Sequence, residues 1–402
     1  MRILFIHQNA PGQFRHLAPH LAKDPDNDVV FLGERVPAVA NGVRWLRYPP
    51  PRPPGPDTHH YLRKIESSLR RGQEVVRACL KLREGGFTPD VVVAHSGWGE
   101  SMFLREALPR ARILNYCEMF YRSEGQDTGY LPELEVGFDG RCRLRVWNAD
   151  LLAGLEAMDR GLSPTRWQRD QHPPAFQPRI AVVHEGVDTV QVAPAVAARF
   201  RLPDGRVLTA ADEVVTFVAR SLEPVRGFAS LMRALPELLR RRPRAQVVIC
   251  GEDGVSYGAP PPGGGTWRAV LEAEEPADPA RVHFVGRLQR PDYLSLLQIS
   301  ALHLYLTVPF VLSWSCIEAL SAGCLVLGSD VAPVREVIED GVTGALVDMR
   351  DPDAVARRAA ALLAERAGWS RVRAAARTLA IDRFDLRRCL AAQSRLVQEV
   401  TE

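Results

Sequence analysis

The stretch Val308-Pro-Phe-Val-Leu-Ser-Trp-Ser-Cys-Ile-Glu318-Ala-Leu-Ser-Ala-Gly-Cys324 decides how this chain is read. Apolar runs flank it, Leu302–Thr307 before and Cys324–Gly328 after. Short runs without alternation suit parallel strands buried on both faces. Between them Ser313–Ala322 reads as a helix, with Ser313 or Ser315 to cap it and Gly323 to stop it. Strand, loop, helix, strand is the repeating unit of a doubly wound α/β sheet. The loop lies at the carboxyl end of its strand, where such sheets hold ligands, and N–H groups at the helix start favour an anion such as phosphate.

Glu318 admits two readings. Ser315 and Glu318 have the S-x-x-E spacing of a capping box, in which the glutamate serves only the helix end. A carboxylate in the first turn, beside an anion site, could equally accept hydrogen bonds from the two hydroxyls of a ribose.

The rest of the second half repeats the same unit. Val214–Ala219, Val247–Gly251 and Val282–Val285 read as strands, Phe228–Arg240 and Pro291–Ile299 as helices, which argues a parallel sheet covered on both faces. Arg220 ends the first of these strands and Arg226-Gly227 opens the next helix. Two guanidinium forks flanking a strand end suit the oxygens of a diphosphate, although surface arginines commonly have no such task. Tyr257–Trp267, rich in Pro and Gly, reads as a loop. Arg335–Glu339, Asp351–Glu365 and a final stretch Asp385–Val400 read as helices.

The first half opens with the strand Ile3–His7, the loop Gln8–Gln13 and a helix from near Phe14. The loop lacks G-x-G-x-x-G, so no dinucleotide fingerprint is present, and Gly12 reads as a turn residue. Asp90–Ala94 is a further strand, with His95-Ser-Gly-Trp-Gly99 at its carboxyl end. Asn115–Glu124 is aromatic and acidic. Glu118, Tyr121 and Glu124 either line an acceptor pocket or belong to a loop packed on the domain. Arg141–Met158 reads as one helix, Ile180–His184 as a strand, and Glu185 to about Leu208 as a linker. Pro49–Pro56 is an extended proline-rich loop. The helix predicted from His59 to about Glu84 carries Arg63, Lys64, Arg70, Arg71, Arg77, Lys81 and Arg83 against three Glu. Such a run is a solvated face, or a docking surface for anionic lipid.

Composition narrows the function classes. The 402 residues allow two domains, and 46% hydrophobic with 25% charged residues describes an ordinary globular protein. A net charge of +3 gives no argument for nucleic acid. Seven cysteines without a C-x-x-C pair suggest free thiols in a reducing compartment. The start, Met1–Ile6, is too short for a signal peptide, and no run reaches the roughly 18 apolar residues of a membrane span. A cytoplasmic protein, at most peripheral to the inner membrane face, is expected. The acidic cluster Lys23-Asp-Pro-Asp-Asn-Asp28 lies in the turn before the strand Asp28–Gly33 instead of following one, so a solvated acidic turn is expected and no catalytic metal.

Several segments together resemble the family 4 glycosyltransferases, GT-B enzymes that use sugar nucleotides. Glu318-Ala-Leu-Ser-Ala-Gly matches the second half of the family's donor signature, whose first glutamate is replaced here by Phe310. Arg220 with Arg226-Gly227 resembles the family's Arg followed by Lys-Gly. Leu162–Gln168, Glu185-Gly-Val-Asp188 and Asp340-Gly-Val-Thr-Gly344 resemble further family segments. The resemblance implies two Rossmann-like doubly wound domains facing each other across a cleft. Residues 1–190 would form the acceptor-side domain and 191–384 the nucleotide-sugar domain, with 385–402 a helix crossing back. It implies a retaining transfer of sugar from a nucleoside diphosphate sugar, a UDP-sugar in preference to a GDP-sugar, with no other cofactor. Arg220 and Arg226 would hold the diphosphate, Glu318 the ribose, and the amides of the loop Phe310, Val311, Leu312, Ser313, Trp314 and Ser315 the sugar and phosphate. His95 would face the transferred sugar, and Gly12 would let the backbone approach the phosphates. Phe310 either packs on an apolar sugar face or buries itself in the wall. The competing readings are a sugar-nucleotide epimerase and a catalytically degenerate sugar-nucleotide-binding assembly subunit. A hydrolase is disfavoured by the absence of G-x-S-x-G. The acceptor and the oligomeric state are not written in the sequence.

Overall fold

The computed structural model describes residues 1–402. The chain forms two compact units. One comprises residues 1–123, 136–186 and 386–402, the other residues 124–135 and 187–385.

The first unit is a seven-stranded sheet of β1 (Arg2–Ile6), β2 (Asp28–Gly33), β3 (Arg44–Arg47), β4 (Val91–His95), β5 (Arg112–Tyr116), β6 (Arg160–Ser163) and β7 (Ile180–Val182). Its order is β3-β2-β1-β4-β5-β6-β7 and every pairing is parallel. Strand alternation separates its two faces. Leu4 and Ile6 pack with Val75 and Cys79 of the helix Arg63–Glu84. Ile3 and Phe5 pack with Leu390, Leu396, Val397 and Val400 of the C-terminal helix Leu386–Thr401. Each such side chain, once buried, contributes roughly 1.5–3 kcal/mol from apolar area. The terminal helix is therefore part of this unit's core.

The second unit contains β10 (Val214–Ser221), β11 (Gln246–Glu252), β12 (Val282–Gly286), β13 (Leu302–Tyr305), β14 (Val326–Ser329) and β15 (Ala345–Val347), in the parallel order β12-β11-β10-β13-β14-β15. Before them, β8 (Arg199–Arg201) and β9 (Val207–Thr209) form an antiparallel hairpin. In both sheets the strand order reverses once, between β1 and β4 and between β10 and β13. At such a point neighbouring connections leave in opposite directions and open a crevice at the strand ends.

Several expected boundaries are corrected. The single helix expected over Arg141–Met158 is two, Phe138–Val146 and Ala149–Ala157. The break lies at Asn148, whose side-chain amide pairs with the backbone of Tyr121 in both directions, at 2.9 and 2.8 Å. The expected linker holds the β8–β9 hairpin because Phe200 and Leu208 bury with Val214 and Val248. The basic helix starts at Arg63, not His59. His59, His60 and Tyr61 pack ring on ring before it, and Tyr61 donates to Asp139 at 2.7 Å. Near Phe14 there is only a 3₁₀ turn, Gly12–Phe14, before the short helix Leu17–Leu21. The helix expected over Arg335–Glu339 lies at Ala332–Arg335, with Pro333 in its first turn. Trp267–Glu274, capped by Thr266, and Ser370–Phe384 are helices that hydrophobic periodicity did not reveal.

Candidate functional site

In the second unit the deciding stretch folds as a loop after β13 and a helix, Trp314–Ser321. Ser313 caps the helix, its Oγ accepting from the Ser315 amide at 3.3 Å. Gly323, at φ +78°, ends it. The capping-box reading of Glu318 therefore fails. With Ser313 as cap, Glu318 lies in the second turn, beyond reach of the cap amide. Its carboxylate is 5% exposed and accepts at 2.6 Å from Arg290 Nη1 and at 2.6 Å from the Tyr293 hydroxyl. Burial, followed by the Glu318 charge, pushes the Tyr293 hydroxyl well above its ordinary pKa, so it remains a donor. Arg290 and Tyr293 lie on the helix Arg290–Gln298 one turn apart. Arg290 opens that helix at the sheet's carboxyl edge, a position that could have singled it out in the sequence.

The loop itself is partly committed. The Ser313 amide donates to the Tyr305 hydroxyl at 2.7 Å and the Ser315 amide to Ser313, so neither is available to a ligand. The amides of Phe310, Val311 and Leu312 have no acceptor in the protein. Trp314 and Ser315 are half-buried in the first turn of the helix.

The two arginines differ in freedom. Arg220, the penultimate residue of β10, is exposed, and its side chain forms no ion pair or hydrogen bond. Arg226 is 7% exposed, and its Nη1 donates to the Val311 carbonyl at 2.9 Å, tying down the loop. Its guanidinium lies 4.9 Å from the Tyr257 ring centroid and 5.4 Å from that of Phe310. Phe310 is 6% exposed and meets Tyr257 edge-on at 5.1 Å, so it is buried in the wall. Gly227, at φ +76°, follows Arg226, and a Cβ there would stand 2.4 Å from the Leu306 carbonyl oxygen. Only glycine permits that approach of the two loops. Glu223, fully buried, accepts from the amides of Ser256, Tyr257 and Gly258 and fixes the loop that carries Tyr257. Nothing in the sequence pattern set this glutamate apart.

The first unit brings His7, Gln13, His95 and Glu118 together at the carboxyl ends of β1, β4 and β5. His95 is 1% exposed, its ring stacked between Trp98 at 4.3 Å and Tyr116 at 5.3 Å. Its Nδ1 accepts from the Gly97 amide at 2.9 Å, which leaves the proton on Nε2, 3.5 Å from Glu118 Oε2. His7 Nδ1 accepts likewise from the Asn9 amide at 3.0 Å, so its Nε2–H donates to Gln13 Oε1 at 2.8 Å. Gln13 Nε2 then donates to Glu118 Oε1 at 2.8 Å. Burial, aided by the nearby His95, lowers the His7 pKa to about 3. Burial pushes the Glu118 carboxyl up, but His95 and Gln13 more than offset it and hold it below the usual range.

Gly12, at φ +49°, makes room for the His7 ring, which a Cβ would meet at 2.3 Å. Its geometry thus displays a packing role. Tyr121 packs edge-on against Trp147 at 5.6 Å. Glu124 is exposed and belongs to the other unit. Of the seven basic residues on the helix Arg63–Glu84, all but Lys81 have acceptors within the protein, including the buried Asp150 for Lys64. No helix is long and apolar enough to cross a membrane.

Comparison with known proteins bears on both units. The family described as "Glycosyl transferase family 4 group" matches residues 25–192, and "Glycosyl transferases group 1" matches residues 205–379. D-inositol 3-phosphate glycosyltransferase of Streptomyces avermitilis is 31% identical over 245 residues, covering 54% of this chain and 50% of that protein. The chain thus spans about half the length of the curated relatives it matches. Among solved structures, Anabaena HepE in complex with UDP is similar with a TM-score of 0.67 at 15% identity, over 99% of this chain and all of that one. Sucrose-phosphate synthase of Thermosynechococcus elongatus gives 0.70 at 17%, over 100% and 99% of the two chains. At such identities the likeness is one of fold.

Proposed function

We propose that this chain, which belongs to the family 4 glycosyltransferases of GT-B fold, transfers a sugar from a nucleoside diphosphate carrier to a hydroxyl of an acceptor, with retention at the anomeric carbon. The observation that carries the proposal is the arrangement around β10 and β13. A buried carboxylate, Glu318, an unpaired exposed guanidinium, Arg220, and the amides of Phe310–Leu312, which have no acceptor within the protein, lie at the switch point of one parallel sheet. Carboxylate for a ribose diol, cation for a diphosphate and amides for phosphate oxygens are complementary to a nucleoside diphosphate sugar.

In the reaction the bond from the sugar's anomeric carbon to the β-phosphate oxygen breaks, and its electron pair leaves with the phosphate. The acceptor oxygen forms the new bond and its proton leaves for the departing phosphate. Arg220 stabilises the charge that grows on that phosphate, and Arg226 adds a second positive charge beneath the loop it anchors. An oxocarbenium-like centre makes leaving-group stabilisation matter more than a protein nucleophile. UDP is the favoured carrier, since UDP is bound by a protein of this fold. All seven cysteines are free thiols, which suits a reducing compartment such as the cytoplasm.

Phe310, where the family signature has a glutamate, favours one second reading, a sugar-nucleotide-binding subunit without turnover. Screening sugar nucleotides for thermal stabilisation, then following UDP release from the best donor with lipid, glycan and small-molecule acceptors, separates the two. Turnover with anomeric retention is expected. Stable donor binding without transfer, epimerisation or slow hydrolysis would overturn the enzyme reading.

A further inference from the structure

The first unit's cluster bears on the class of acceptor. His95, the residue at the end of β4, is closed off from solvent, whereas the Glu118 side chain retains 28% of its exposure. The group this cluster offers to a ligand is therefore the carboxylate. Its oxygens face different supports, Oε1 the Gln13 amide at 2.8 Å and Oε2 the Nε2 side of His95 at 3.5 Å. Each carboxylate oxygen has two acceptor positions, so each can take a further hydrogen bond from outside. The supports are themselves fixed. Backbone amides at both Nδ1 atoms set the histidine tautomers, and His7, donating to Gln13 Oε1, turns the Gln13 NH₂ toward Glu118. No lysine or arginine forms an ion pair with Glu118.

We propose that Glu118 is the acceptor-recognising carboxylate of the first unit, selecting a neutral, hydroxyl-bearing acceptor over a phosphorylated one, with Gln13 and His95 as its positioning residues. The inference rests on the transferase reading above. A hydroxyl donates to this carboxylate in a charge-assisted bond, which is stronger than one between neutral groups. A phosphate brought to the same place meets a like charge that no lysine or arginine pairs with, and juxtaposed like charges discriminate strongly against a partner. The chain would thus differ in acceptor charge from the inositol phosphate glycosyltransferases it resembles in sequence.

The test uses the full chain and whichever of UDP-glucose, UDP-galactose or UDP-N-acetylglucosamine raises its melting temperature most. UDP release is followed with two acceptor pairs, myo-inositol against inositol 3-phosphate and glucose against glucose 6-phosphate. The neutral member is expected to have at least about a tenfold higher kcat/KM. Glu118→Gln, with nearly the same shape, is expected to raise KM for the neutral acceptor roughly ten- to hundredfold and to shrink the preference. Glu118→Asp, which keeps the charge, should retain part of the preference. A preference for the phosphorylated members, equal loss for both members in Glu118→Gln, or no turnover of any neutral member would overturn the proposal. UDP binding by calorimetry, measured alongside, separates the two readings. If UDP fails to bind, the donor reading falls with it, whereas UDP binding with a preference for phosphate refutes only the acceptor inference.

Discussion

Replacing Arg226 by alanine removes one group that acts in two ways. Its Nη1 holds the Val311 carbonyl at 2.9 Å, and its guanidinium lies against both the Tyr257 and Phe310 rings. A hydrogen bond from a charged donor contributes about 1.5–3 kcal/mol, and a partly desolvated cation–π contact about 0.5–2 kcal/mol. One side chain makes all of these contacts, so they overlap, and a loss of roughly 2–4 kcal/mol of folding stability is expected in urea titrations. Affinity for UDP should fall independently. Losing a charge-assisted contact to a phosphate corresponds to about a ten- to hundredfold weaker Kd. Calorimetry at a temperature where circular dichroism shows the variant fully folded keeps the two losses apart. Arg226→Lys should recover part of the UDP affinity through its charge and little of the stability, because an ammonium supplies neither the planar fork nor the stacking surface. UDP affinity within a factor of two of the parent in folded Arg226→Ala would refute the phosphate role. Unchanged urea stability would refute the anchoring role.

Gly12→Ala should destabilise the first unit, since φ +49° alone costs an alanine about 1–2 kcal/mol and its Cβ would also press on the His7 ring, and a melting curve checks it. Glu100 gives a pH signature. Fully buried, with Tyr48 donating to one oxygen, its carboxyl is raised by burial to about 7. The folded state then binds the Glu100 proton more tightly than the unfolded chain, for which the ordinary value is 4.5. The stability this proton contributes is full below about pH 4.5 and is lost as pH rises through about 7. Relative to Glu100→Gln, the parent should lose up to about 3 kcal/mol between pH 5 and 8, and parallel urea midpoints across that range would contradict the assignment.

The alternation of buried strand and helix was legible because parallel strands covered on both faces leave unbroken apolar runs such as Val91–Ala94. The loop and helix at Ser313–Gly323 were equally legible, because capping and glycine stops are local chemistry. What the sequence could not show depends on residues far apart. Glu318 looked like a partner of Ser315 because spacing sees only neighbours. Its actual partners, Arg290 and Tyr293, come from another helix. Gln13 and Glu118 are separated by 105 positions and meet only when β1 and β5 lie in one sheet. The break at Asn148 was hidden for the same reason, since it depends on the distant backbone of Tyr121. His95 was found by its place at a strand end, but not its burial, which follows from the aromatic rings closed around it.

The central claim is that Glu318 and Arg220 form a nucleoside diphosphate site, and titration calorimetry of UDP into the full chain tests it most directly. One UDP per chain should bind, more tightly than GDP. Glu318→Ala should weaken binding roughly tenfold or more by removing the ribose contact, and 2′-deoxy-UDP should be less sensitive to that substitution than UDP. No detectable heat at millimolar UDP, or equal UDP affinity with and without the Glu318 carboxylate, would contradict the account.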